Sequence, residues 1–536
     1  MIRTFVLAVC LFTLTAHCLS QSNGPRERAS FNDGWRFQKD DPVGAQGKLS
    51  YQHIKNWVIP TGNEFVSESK RMAMPSGNVG DDVSYTRGDY DDSKWRRLNV
   101  PHDWAIEGDF VQEVPGGTGK RPWAGIGWYR KHFSVASADQ GKQFYLDLDG
   151  AMAYPAIWLN GKFVGGWAYG YQSFRVDLTP YLEYGKENVL SVRLENPPQS
   201  SRWYPGSGIY RNVWLVKTSP IHIGHWGTYV TVSEITETAA INVQTTIRND
   251  SAKDAAISVS QKIYELSKTD ARSAKPVATS KSVEATLIPS STQALSQFVF
   301  SVQNPKLWSV ESPNRYVVVT EVRQGNRLID SYETTFGIRT IRFDAQQGFF
   351  LNGKHVYLKG VCDHHDLGAL GTAINTRALE RQLQILKEMG VNAIRTSHNP
   401  PAPELLDLAD KMGFLVMDEA FDAWHEKKEP NDYHIVFDDW HERDWRAQLR
   451  RDRNHPSVIL WSIGNEISEQ GSPTGHKIAA ELASIAHEED PTRPVTAAAN
   501  WGNAGYNGFQ KTVDIFGYNY RWKEYAKFHS DNPGQP

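Results

Sequence analysis

Cysteine is almost absent from this chain of 536 residues. Three occur, and Cys10 and Cys18 both fall within the first twenty positions, which leaves Cys362. With that leader removed no intrachain disulfide is open to the chain, so its stability must come from packed cores. A surplus of charge of one sign is also missing. Lys+Arg number 58 and Asp+Glu 61, a formal net charge of −3, which gives no global basic field for nucleic acid or an anionic membrane. Beyond the leader no apolar run is long enough to span a bilayer. Hydrophobic residues make up 40% and charged residues 22%. That is ordinary globular composition, and the length predicts roughly three or four domains. Aromatics are the surplus, at 12%. Flat amphipathic side chains suit β-rich cores and sugar-stacking platforms.

Arg3, an apolar stretch over residues 5–15, and the small residues Cys18 and Ser20 predict a secretory signal at residues 1–20. The expected destination is periplasmic or secreted. Residues 27–218 carry short alternating runs, KQFYLDLDG, AIWLNGKFVGG, NVLSVRLEN and NVWLVKT, with Asn160-Gly161 as a hairpin signal. They predict an all-β sandwich of jelly-roll type. Residues 219–339 alternate more plainly and predict an immunoglobulin-like β-sandwich. From residue 340 to 536 strand and helix patterns alternate six times. Asn375 stands as a cap before a helix striped by Leu379, Leu383 and Leu386. Six βα units in a row predict the first part of a (β/α)₈ TIM barrel, with the chain stopping before strands seven and eight.

Polar residues at the C-terminal ends of barrel strands are the expected catalytic set. Here they read Asp363-His364-His365-Asp366, Arg395 with Ser397-His398, Asp418-Glu419, Asn465-Glu466, Asn500-Trp501 and Asn519-Tyr520. Glu466 ends the apolar run VILW on a carboxylate and is placed for general acid–base work, with the Asn465 amide beside it for a neighbouring hydroxyl. The rival reading of Glu466 is an acidic cap of the next helix. Adjacent residues on a strand face opposite ways, so His364 and His365 do not readily share one metal ion. His364 and His398 fit better as hydrogen-bond partners of a polyhydroxylated ligand. Cys362, inside an apolar strand, is expected in the core rather than as a nucleophile.

The segments FNDGWRF, VPHDWAIEGDF, GIGWYRKHF and SRWYPGSGIYRNVWL, followed by NAIRTSHNPPAPELLDLADKMGFLVMDEA and DRNHPSVILWSIGNE, resemble glycoside hydrolase family 2, the β-galactosidase and β-glucuronidase family. The resemblance implies a retaining exo-β-glycosidase acting on a β-galactoside or related oligosaccharide. It makes Glu466 the acid/base and Asn465 the partner of the sugar 2-hydroxyl. It puts His364 and His398 on sugar contacts, and Arg395 and Tyr520 on positions that hold the nucleophile carboxylate. That nucleophile is a glutamate on strand seven and is not expected in this chain. A carbohydrate-binding or catalytically inert fragment is therefore the alternative, and β-glucuronidase or β-mannosidase the alternatives within the enzyme class. The magnesium-binding members use a Glu and a His after the DEA motif, where this chain has Ala423 and His425. Their sodium-ligand Asp is replaced by Ser201. No metal or cofactor is expected, and a homo-oligomer is left open.

Overall fold

The structure is a computed structural model that describes residues 24–114 and 116–536. The leader at residues 1–20 lies outside the described residues. The alternating runs form strands where the sequence places them. One antiparallel sheet has the order Glu27–Ser30, Val213–Thr218, Gln143–Leu148 and Phe174–Asp177. The facing six-stranded sheet runs Arg96–Leu98, Trp35–Lys39, Gly125–Ser134, Glu187–Asn196, Ala156–Leu159 and Lys162–Gly166. Its last hairpin turns at Asn160 and Gly161, with φ of 52° and 81°. Both positive values belong to the two-residue turn that matches strand twist. Trp35, Trp128 and Trp158 are fully buried in this sandwich.

The next unit is a second sandwich. Thr238–Asn249 lies between Ile221–Ile235 and Ser291–Gln303 in one sheet. Ala255–Leu266, Arg315–Gln324 and Arg327–Phe336 run side by side in the other. Every second residue of Thr238–Asn249 is buried, the period-two signature of a half-buried strand. This unit has its own apolar core of Ile, Val and Phe side chains.

Six parallel strands then form one curved sheet in sequential order: β1 Gly360–Asp363, β2 Ala393–Thr396, β3 Leu415–Glu419, β4 Val458–Asn465, β5 Val495–Ala499 and β6 Ile515–Tyr518. Helices α1 Thr376–Glu388, α2 Pro403–Met412, α3 Phe437–Asp452, α4 Pro473–Glu489 and α5 Tyr525–Asp531 follow β1, β2, β3, β4 and β6. The arrangement is a TIM barrel of six strands. The Asn375 side chain accepts from the Ala378 N–H and so caps α1 as expected. Among the described residues no helix is long and apolar enough to cross a membrane.

Two readings are corrected. The strand expected across HVYLKGVCDHH is two short pieces, Lys354–His355 in a small antiparallel sheet and β1 in the barrel. Cys362 is exposed instead of in the core. It sits on β1, an edge strand, so its side chain lacks the facing wall that a strand inside a closed barrel would have. A third feature went unseen. Tyr51–Val58 is a helix inside the first sandwich domain, with Tyr51, Ile54 and Val58 buried. Their spacing of three and four is a helical stripe in a segment read as β throughout.

That helix packs at the seam between the first sandwich and the barrel. Tyr51 accepts a hydrogen bond from the Trp440 indole of α3 at 2.5 Å, and Trp167 donates to Asp444 of α3 at 2.6 Å. The two domains share one continuous apolar core, from Phe31 to Phe528. Arg211 is buried in the seam. Its guanidinium donates to the carbonyls of Tyr171 at 2.7 Å, Pro400 at 2.9 Å and Pro401 at 3.1 Å. Those prolines stand two and three residues after His398, so the clamp fixes the loop that carries a candidate site residue. Buried carbonyls left without donors cost about 1–3 kcal/mol each. Arg211→Met is therefore expected to lower the unfolding free energy by about 2–4 kcal/mol, measured by urea denaturation. A loss below about 0.5 kcal/mol, the range of an ordinary surface change, would show that the clamp carries no stability.

Candidate active site

Groups from β2, from the loop after β3 and from the end of β6 meet at Asn465, the last residue of β4. Its side-chain oxygen accepts from Arg395 Nη2 at 2.8 Å and from Asn519 Nδ2 at 3.1 Å. Its Nδ2 donates to Asp422 Oδ1 at 2.8 Å. The next residue, Glu466, is half-buried, and its Oε1 accepts from Asn519 Nδ2 at 2.8 Å. Its main-chain N–H donates to the Ala498 carbonyl at 2.7 Å. Glu466 has φ of 48°, a left-handed conformation that side chains other than glycine rarely hold without surrounding constraint. Tyr520, also left-handed at φ 62°, is exposed beside it. The negative charge of Glu466 is the first cause that pushes the Tyr520 hydroxyl pKa up.

Glu419, at the end of β3 and beside β4, is fully buried. Arg395 donates to it through Nε at 3.0 Å and Nη2 at 2.8 Å, Ser462 donates at 2.6 Å, and His398 Nδ1 lies 2.6 Å away. Burial alone would raise this carboxyl, but Arg395 and His398 hold it below its ordinary value. A carboxylate at Nδ1 fixes the proton there and leaves His398 Nε2 free for a ligand. Asp418, one residue earlier, faces the other way. It accepts from Gln448 of α3 at 2.8 Å, and burial together with Asp452 pushes it well above its ordinary value.

His364 and His398 meet edge to face at 5.5 Å, and Trp203 covers both, with ring centroids 5.2 Å and 5.6 Å away. Burial lowers the pKa of His364. Its buried Nδ1 has no partner, so this imidazole is a neutral group with unused hydrogen-bonding capacity. Trp203 belongs to the first sandwich, and its loop approaches the barrel through Gly206 and Gly208. Both have positive φ, and a Cβ would collide with Thr372 at the first and with the His102 carbonyl at the second. His365 points away from His364, as alternation requires. It lies 3.2 Å from the Pro205 carbonyl, and burial lowers its pKa to about 3.

The structure thus brings Glu466, Asn465, His364, His398, Arg395 and Tyr520 to one mouth. Arg395 spends its fork on Glu419 and Asn465. Glu419 and Asn519, expected at the strand ends, join the residues at the mouth, whereas Asp422, Lys428, Arg202 and Trp203 lie outside the expected set. A carboxylate two residues past the DEA motif was the available signal for Asp422; nothing local marked Arg202. Beside the mouth the two domains leave an open cleft walled by Tyr154, Tyr169, Tyr171, Trp203 and Tyr433.

The donors do not fit the magnesium site of related enzymes. Ala423 offers no ligand atom, and His425 turns outward to Asp438 at 2.9 Å. Ser201 donates to the Trp203 carbonyl at 2.9 Å. Among the described residues no group of three or more His, Cys, Asp or Glu side chains is placed to hold a metal ion.

Residues 344–532 match the family model "Glycosyl hydrolases family 2, TIM barrel domain", residues 221–339 match "Glycosyl hydrolases family 2", and residues 114–219 match its "sugar binding domain". The chain belongs to glycosyl hydrolases family 2. It is 43% identical over 551 residues to the β-galactosidase BoGH2A of Bacteroides ovatus, covering 96% of this chain and 59% of that protein. It is 28% identical over 466 residues to a β-glucuronidase of Bacteroides fragilis, covering 82% of this chain and 62% of that one. The crystal structure of a family 2 member from Bacteroides cellulosilyticus superposes with a TM-score of 0.82 at 34% identity, covering 95% of this chain and 60% of that one. The chain thus spans about 60% of the length of these relatives.

The Glu419 cluster makes a testable demand. A carboxylate held below its ordinary value stabilises the fold above its unfolded pKa, and that contribution is lost as pH falls through the folded pKa. Glu419→Gln should therefore cost about 3 kcal/mol near pH 7, and the gap from wild type should narrow on acidification. Urea unfolding of both proteins from neutral to acid pH checks this. A gap that does not change with pH would remove the charge of Glu419 as its source.

Proposed function

We propose that this chain is the sandwich-and-barrel part of an exported retaining exo-β-glycosidase that removes terminal β-galactosyl residues. The observation that carries the reading is the adjacent pair Asn465 and Glu466 at the end of β4, with Asn519 bonded to both. The 43% identity to a β-galactosidase supports galactose as the sugar, and the leader at residues 1–20 supports export to the periplasm or beyond. A nucleophilic carboxylate attacks the anomeric carbon while Glu466 gives its proton to the departing glycosidic oxygen. Glu466 then takes a proton from water, whose oxygen attacks the same carbon and releases the sugar with retained configuration. The double displacement requires two carboxyls roughly 5–5.5 Å apart. The family supplies the second from strand seven of the barrel, so the reaction is assayed in the enzyme with its barrel complete. Arg395, already bonded to Glu419 and Asn465, and Tyr520 beside Glu466 are the groups that would hold that nucleophile. His364 and His398, beneath Trp203, contact the sugar hydroxyls.

A panel of nitrophenyl β-glycosides tests the substrate. The galactoside should be the best of them, and a clear preference for the glucuronide or mannoside would overturn galactose. A second measurement tests Glu466. Positioned proton transfer is worth roughly 10²–10⁴-fold, so Glu466→Ala should lose about that much on an alkyl galactoside or disaccharide. A dinitrophenyl galactoside, whose phenolate leaves unaided, should be far less affected in the first step. Azide needs no base and should restore turnover, forming β-galactosyl azide. Equal losses on good and poor leaving groups, with no azide product, would remove Glu466 from the acid/base role.

A further inference from the structure

Asp422 lies three residues beyond β3, and after Glu419 its carboxylate accepts the most hydrogen bonds of the carboxylates at the mouth. Arg202 of the first sandwich grips it with Nε at 2.9 Å and Nη2 at 2.7 Å. Lys428 donates to it at 3.0 Å and also to the Asn465 main-chain carbonyl at 2.6 Å. The remaining side-chain donor is Asn465 Nδ2, at 2.8 Å. Burial alone would raise the Asp422 carboxyl, but Arg202 and Lys428 bring it down to about 2. It is a fixed anion at any ordinary pH.

A fixed anion matters because an amide is nearly symmetrical in shape. Turning the Asn465 side chain by 180° would exchange its oxygen and nitrogen with little steric change. Its partners decide between the two orientations. Arg395 offers only N–H donors on one side, and Asn519, whose NH₂ is turned there by its bond to Glu466 Oε1, donates beside it, so they require the oxygen there. Asp422 offers only acceptor oxygens on the other, so it requires the NH₂ there. One N–H of Asn465 is then spent on Asp422, and the second remains available.

We propose that Asp422, clamped between Arg202 and Lys428, is a positioning residue that fixes the Asn465 amide so that its second N–H meets the substrate 2-hydroxyl oxygen. The proposal rests on the assignment of Asn465 in the proposed function. It makes the first sandwich a contributor to the chemistry, because Arg202 reaches Asp422 across 220 positions of sequence.

The experiment compares nitrophenyl β-galactoside with its 2-deoxy counterpart in the complete-barrel enzyme, reading each variant against wild type on the same substrate. Asp422→Ala should lower kcat/KM on the galactoside by about 10- to 100-fold, the range for a hydrogen bond involving a charged or buried partner. On the 2-deoxy substrate, which has no hydroxyl for Asn465 to meet, the loss should stay within about threefold. In an Asn465→Ala background the same change should add little, since two residues serving one contact are non-additive. Arg202→Met, at the accessible end of the clamp, should give a smaller loss with the same selectivity and serves if Asp422→Ala does not fold. Equal losses on both substrates, or additive effects with Asn465→Ala, would overturn the positioning role and leave a structural ion pair. A wild-type enzyme that hydrolyses neither glycoside would overturn the parent reading and this one together.

Discussion

The site depends on one constraint, that main-chain carbonyls and carboxylates withdrawn from water in the seam between sandwich and barrel need donors there. The two domains share one apolar core, so the carbonyls and carboxyls buried in the seam have lost water. Arg211 answers for the carbonyls of the Pro400-Pro401 loop, and Arg451 of α3 reaches the Pro401 carbonyl from the barrel side at 2.9 Å. This loop begins at His398, so the same bonds that close the seam hold the imidazole against Glu419. Packing and site geometry are therefore one problem: the roof of the mouth, Trp203, is delivered by the loop that the seam fixes.

Charge at the mouth is organised by the same rule. Glu419 and Asp422 are carboxylates withdrawn from water, and each is surrounded by donors, Arg395 with His398 and Ser462 around the first, Arg202 with Lys428 around the second. Asn465 bridges the two clusters, bonded to Arg395 on one side and Asp422 on the other. Buried charges of this kind contribute little net stability against apolar replacements, yet removing one partner is costly. Their use here is orientation: each fixes the direction of a neighbouring group. Glu466, by contrast, is half-buried and held by lighter contacts, Asn519 at 2.8 Å and Asn500 at 3.4 Å. That suits a group proposed to give up and regain a proton.

Much of this was legible from residue order because it is local. Alternation along Thr238–Asn249 follows from the pleat, the Asn160-Gly161 turn from its tolerance of positive φ, and the start of α1 from the Asn375 side chain. The strand-end rule located Glu466, Asn465, Arg395, His364, His398 and Tyr520, because a parallel barrel opens its C-terminal strand ends to one side. Alternation also separates His364 from His365 and Glu419 from Asp418. The helix Tyr51–Val58 was missed because a single buried stripe of eight residues inside a β domain is easily outweighed by its surroundings.

What the sequence by itself determined is the identity and order of the elements and the face on which each polar residue stands, since both follow from backbone periodicity and caps. What only the tertiary structure decided is which remote groups meet. Arg202 and Asp422 have no sequence relation that would pair them. The physical reason is that a hydrogen bond or a shared desolvated space depends on distances of a few ångströms. Chain folding sets those distances between segments hundreds of residues apart, and no local propensity encodes them.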